Sequence, residues 1–278
     1  MVTRRKIRRY LKLFLPGIAL TFFLIVGTFP EFFVRYSYSE MHPKRRLEAP
    51  SADFWFGTDA FGRDVYSRVI VGSRVSYSVS VGAVAVAVIG GVLLGVVGGL
   101  FKLMGYMVMR FVDVIICFPP ILVAIFLLAV VKAGILPLIL VIGFLYTPRM
   151  ARVVQSAVLE VSQLTYIEAQ RAVGASLFRI VMKGILPQIM APMIVQATIM
   201  LGTAMLLEAG LSFLGLGIPP PNPTWGQLVS EARRTMHLNM SQLIFPGLVL
   251  SANVIFINLL GDGLRDFLDP KMRRSNLT

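Results

Sequence analysis

The long apolar stretches of this 278-residue sequence hold few groups able to do chemistry, and their spacing suits hydrogen bonding rather than bond breaking. One acid, Glu208, falls inside an apolar run, where a carboxyl must be paired or wet. It either lines a polar path or caps a neighbouring helix. Gln196 and Thr203 lie seven residues apart, as do Ser251 and Asn258, so each pair shares one helix face. Such faces either line a path for a solute rich in hydrogen-bonding groups or tie helices together. An intramembrane enzyme would need a nucleophile beside a base, or clustered acids or histidines, at that depth, and the apolar runs offer none. Cys117 has no second cysteine to pair with, and His42 and His237 are isolated, so neither a disulfide nor a metal site is expected. The sequence has no Gly-x-x-x-x-Gly-Lys-Ser/Thr loop to cradle nucleotide phosphates, and no cofactor is expected on this chain.

The scarcity follows from the solvent. Hydrophobic residues make up 56% of the chain, charged residues 15%, and mean hydropathy is +0.76. A soluble domain carries about 25% charge, so much of this surface must face lipid. The formal net charge of +13 then reads as basic residues holding loops on the cytoplasmic side. A nucleic-acid partner is not expected, because no dense basic stripe is interleaved with aromatics.

Six stretches approach the roughly 20 residues of a membrane span: about 11–33, 75–100, 112–131, 136–154, 192–216 and 243–260. The first follows a basic start and is too long for a cleaved signal, so it reads as a retained anchor. The second carries Ala83, Ala87, Gly91, Gly95 and Gly99 at four-residue spacing, a ridge without bulk where another helix can approach. Pro119 and Pro120 bend the third, Pro148 the fourth, and a short turn at Lys132, Ala133 and Gly134 joins those two. The 14 methionines, scattered through the spans, read as lipid-facing or gap-filling. With the amino end inside, 17 Lys and Arg fall on the cytoplasmic side and 10 outside, 7 of these in one long loop where the rule weighs less. The expected fold is an all-α integral membrane bundle of six transmembrane helices with both termini cytoplasmic.

The expected organisation is a basic amino terminus with the first span over 1–33 and an extracytoplasmic loop over 34–74. A five-helix core follows over 75–270, then a cytoplasmic tail over 271–278. The core contains a large cytoplasmic loop over 151–188. Within that loop Ile167, Ala172, Val173, Ile180 and Val181 recur at helical spacing around Gly174, which suits two short helices hinged at a glycine. Such a pair must cover its apolar face, and a partner's groove is the obvious cover.

Glu168-Ala169 followed by Gly174 and then Leu186-Pro187 resembles the "EAA" loop of the membrane subunits of ATP-binding-cassette importers. Two positions depart from that pattern: Gln170 stands for Ala, and Gly184 stands where Ile is preferred. Three further stretches resemble the C-type permease of the dipeptide, oligopeptide and nickel branch: residues 56–68, residues 211–226 and residues 261–270. The resemblance covers about 50–270 and implies the type I importer permease fold. It assigns ATPase coupling to Glu168, Ala169, Gln170, Gly174, Leu186 and Pro187. In this role Glu168 anchors the loop, Ala169 allows close approach and Gly174 forms the hinge. It also implies two ATPase subunits that bind ATP and Mg, a homologous second permease, an extracytoplasmic substrate-binding protein and the bacterial inner membrane. Substrate would move by alternating access, the candidate lining being Gln196, Thr203, Glu208, Ser251 and Asn258. Asp59, Arg63 and Asp64 are expected on an outer amphipathic helix that seals the bundle or docks the binding protein, or else on a plain solvated face. The alternatives are an intramembrane enzyme, a stand-alone channel or secondary transporter, and the same family carrying nickel or opines.

Overall fold

A computed structural model describes residues 2–131 and 134–268. The expected turn at Lys132 and Ala133, and the tail over 271–278, lie outside the described residues. Among the described residues ten α-helices follow in order: α1 (Val2–Thr28), α2 (Val65–Leu100), α3 (Lys102–Ile116), α4 (Pro120–Val130), α5 (Ile135–Ser162), α6 (Thr165–Ala172), α7 (Leu177–Arg179), α8 (Leu186–Phe213), α9 (Trp225–Arg233) and α10 (Ser241–Leu268). A wide π turn, Ile180–Ile185, joins α7 to α8.

Among the described residues, four helical stretches are long and apolar enough to cross a bilayer: Val65–Leu100, Ile135–Ser162, Leu177–Phe213 and Ser241–Leu268. The pair α3 and α4 makes a fifth if taken as one broken span, and among the described residues α1 carries an apolar helical stretch over Leu13–Thr28. The third expected span differs most from its reading. It is no gently bent helix over 112–131 but two helices meeting at 91°. Pro119 and Pro120 lack the N–H groups that would continue the ladder, and α3 starts ten residues before the expected span.

The small-residue ridge of α2 is a packing device, as its spacing predicts. A Cβ on Gly91 would come within 2.5 Å of Met150, one on Gly95 within 2.5 Å of Val154, and one on Gly99 within 2.6 Å of Val158, all on α5. On α5, Gly143 admits Val86 in return. This seam anchors the larger core, which runs from Val79 through Ile142, Met150 and Ile189 to Leu211. A second core gathers Leu20, Val65, Val69, Tyr77, Met205, Trp225 and Ile257, bringing α1, α2, α8, α9 and α10 together.

Candidate functional site

The end of the bundle where α5 runs into α6 carries the loop singled out in the sequence. Helix α6 stops because Gly174 adopts φ +76°, a conformation an L side chain resists. Its N–H reaches Arg171 O at 3.0 Å, and Ala175 N–H reaches Gln170 O at 3.0 Å, closing the last carbonyls of the helix. Ser176 then caps α7 by accepting from Arg179 N–H at 3.4 Å. Two short helices joined at a glycine are therefore built by local backbone chemistry.

The apolar residues of this loop divide between two jobs. Ile167, Ile180 and Ile185 turn into the chain's own core. Val173 and Phe178 instead stand 83% and 77% exposed, and Glu168 and Ala169 are exposed beside them. Gln170 is half-buried over Gly184. Leu186 and Pro187 open α8, the proline sitting in the first turn where its missing N–H costs nothing. Tyr166 Oη donates to Gly184 O at 3.0 Å, fastening α6 to the root of α8. Sequence reasoning missed Phe178. The signal for it was a large aromatic at a position the helical period leaves outside.

The candidate lining residues fall into two groups. Gln196 and Thr203 are half-buried on α8, and Ser251 and Asn258 are exposed on α10. Asn258 Oδ1 lies 3.1 Å from where a Cβ on Gly202 would be, so it sits at the seam of α8 and α10. Gln196 lines a cleft of about 390 Å³ in that seam with Pro192, Ile199 and Arg265. Glu208 is placed differently: it is 0% exposed and enclosed between α2, α8 and the start of α9. Its carboxyl accepts from Ser212 Oγ at 2.7 Å and from Ser76 Oγ at 3.5 Å. It is therefore closed off from the surroundings, unlike the other four.

At the α9 end of the bundle, the expected amphipathic helix around Asp59, Arg63 and Asp64 is absent. Gly57 and Gly62 both take φ +77° and turn the chain too sharply for a helix. Asp64 caps α2 by accepting from Ser67 N–H at 2.9 Å. Asp59 binds Arg63 and Arg68, each at 2.6 Å, and Arg68 and Arg63 reach Glu231 on α9 at 2.7 and 3.1 Å. The three residues are buried, so they fasten this end together. Arg68 and Glu231, the missing half of the cluster, are 163 residues apart.

The family of binding-protein-dependent transport system inner membrane components matches residues 75–274. A dipeptide transport system permease protein, DppC, of Alkalihalophilus pseudofirmus is 39% identical over 92% of this chain and 84% of its own length. A glutathione transport system permease protein, GsiD, of Pectobacterium atrosepticum is 35% identical over 97% and 90%. A di/tripeptide transport system permease protein, DppC, of Pseudomonas aeruginosa is 37% identical over 84% and 77%. Among solved structures, an inward-facing form of the MetNI methionine ABC transporter superposes with a TM-score of 0.61 over 72% of this chain and 96% of that one, at 21% identity. That likeness carries the fold.

Proposed function

The chain belongs to the binding-protein-dependent transport system inner membrane components, and from that premise we propose that it is the permease subunit of an ATP-binding-cassette importer for di- or oligopeptides. The observation that carries this reading is the α6–α7 loop, where exposed Val173 and Phe178 follow exposed Glu168 at the root of a long apolar helix. An uncovered Phe and Val beside an acid suit a protein groove far better than water or lipid.

In this reading the loop faces the cytoplasm and rests on ATPase subunits, which hold ATP and Mg. The α9 end faces the outside of a bacterial inner membrane, where a substrate-binding protein delivers peptide. Helix α1 adds a sixth span, both termini are cytoplasmic, and a homologous second permease completes the pathway. Gln196, Thr203, Ser251 and Asn258 lie toward that pathway, because lipid offers their hydrogen-bonding groups no partner. Closure of the ATPase pair pushes the loop, and α8 carries the push over its 28 residues, about 42 Å at 1.5 Å per residue. The bundle then alternates between outward and inward openings.

The test is reconstitution of the chain with its ATPases, second permease and binding protein. Glu168→Lys and Gly174→Asp are expected to insert normally while losing both ATPase docking and peptide uptake. Gly174 has nothing within 4 Å of a would-be Cβ, so the strain there comes from its φ alone. Normal uptake by both variants would remove the assignment of the loop.

A further inference from the structure

Glu208 lies at the far end of α8 from the docking loop, and two hydrogen-bonded chains from α9 end on its carboxyl. In the first, Trp225 N–H donates to Ser76 Oγ at 3.2 Å and Ser76 Oγ donates to Glu208 Oε2 at 3.5 Å. In the second, Thr224 Oγ1 lies 3.4 Å from Ser212 Oγ, which donates to Glu208 Oε1 at 2.7 Å. Thr224 is also the cap of α9, accepting from Gln227 N–H at 3.2 Å. Trp225, fully buried, sends its indole N–H to Val69 O on α2 at 3.0 Å. Gly226 lies so close to α8 that a Cβ there would come within 2.4 Å of Ala209 Cα. One carboxyl thus collects the first turn of α9, the inner face of α2 and the outer end of α8.

We propose that Glu208 is the positioning residue that makes α9 move as one body with α8, so that force entering at the docking loop reaches the outer mouth. This rests on the importer reading. A carboxyl suits the junction because it is acceptor-only when ionised, and both chains arrive as donors. Two buried hydroxyls pointed at one acceptor hold it in a geometry that a methyl group could not reproduce.

The test uses the whole complex in lipid nanodiscs, in a Cys117→Ser background, with spin labels on Leu206→Cys of α8 and on Arg234→Cys at the C-terminal cap of α9, both exposed positions. With Glu208 present, the label distance is expected to agree within about 2 Å between nucleotide-free and ATP–vanadate states. In Glu208→Leu it should shift or broaden by about 5 Å or more, the scale of one helical turn. In proteoliposomes, labelled dialanine taken up per ATP hydrolysed should fall about tenfold or more in Glu208→Leu. Glu208→Gln, which keeps one acceptor oxygen, should recover most of it. Misassembly lowers uptake and hydrolysis together and leaves their ratio alone. If Glu208→Leu does not assemble, the double variant Ser76→Ala, Ser212→Ala empties both chains and is read in the same way. An unaltered label distance in both states overturns the proposal, as does an unaltered uptake ratio. A wild-type complex that takes up neither dialanine nor a longer labelled peptide fails the peptide-importer reading instead, and the label distances still decide the role of Glu208.

Discussion

Truncating Phe178 to alanine isolates the docking surface from the fold. The side chain is 77% exposed, so the chain itself loses little packing, and its thermal stability should change by no more than about 0.5 kcal/mol. Burying such a side chain against a partner is worth about 1.5–3 kcal/mol, and the alanine keeps part of that. A loss of about 2 kcal/mol at about 1.4 kcal/mol per factor of ten makes the ATPase bind about 25-fold more weakly. Val173→Asp, from a site 83% exposed, should weaken it further by burying an unpaired charge. The assay is titration of purified ATPase onto the nanodisc-embedded permease pair, with unfolding followed in parallel. Ile167→Ala serves as the contrast: its side chain is fully buried, and its loss should cost the fold about 2–5 kcal/mol. Affinity within twofold of wild type for both Phe178→Ala and Val173→Asp would refute the claim that this apolar pair is the contact.

Two perturbations probe the opposite end. Arg68→Met leaves Asp59 and Glu231 sharing only Arg63 and should cost about 3 kcal/mol of stability, since buried Asp59 loses one of its two guanidinium partners. Arg74→Ala, which breaks an exposed pair with Glu31, should be nearly silent in the same thermal unfolding measurement. The Arg45 guanidinium bonded to Glu48 holds that carboxyl below its ordinary range. A depressed pKa in the folded state stabilises above the unfolded value and is lost as pH falls through the folded one. Glu48→Gln should therefore unfold at a lower temperature than wild type near neutrality, and the two should converge as pH drops below the ordinary value of 4.5.

The parts of this molecule that were legible in the sequence are those coded by short periods. A small residue every fourth position can mean little except close helix contact, and Gly91 and Gly95 meet α5 as that spacing requires. Gly174 announced a helix stop because the residues on both sides repeat with helical period. Helix α3 was harder to read, since Lys102, Arg110 and Asp113 interrupt the apolar run while leaving the amphipathic period intact. The segment around Asp59 was misread as a helix although Gly57 and Gly62 were in view. Their five-residue spacing fits two left-handed turns at least as well. Ion pairs and hydrogen bonds that cross the fold are invisible to any period: Ser76 lies 132 residues from Glu208, and nothing near either residue points to the other.

The two departures from the importer motif explain one another once α6 is seen against the π turn. A Cβ on Gly184 would stand 2.7 Å from Ile167 Cδ1, 3.0 Å from Gln170 Oε1 and 3.7 Å from Gln170 Cδ. The large residue at 170 therefore occupies the space left by the small residue at 184, where the motif pairs a small residue at the first position with a large one at the second. Close packing makes volume at such a contact a property of the pair, not of either site. Gly184→Ile alone should overpack the junction, costing about 1–3 kcal/mol and loosening α6 from the root of α8. Gln170→Ala alone should leave a small gap. The double variant should lie well above the sum of the two losses, in both thermal stability and uptake per ATP. Strict additivity of the two substitutions would mean that Gln170 does not fill the space at Gly184, and the path from the docking loop into α8 would then have to run through the Tyr166 and Ile167 contacts of α6 instead.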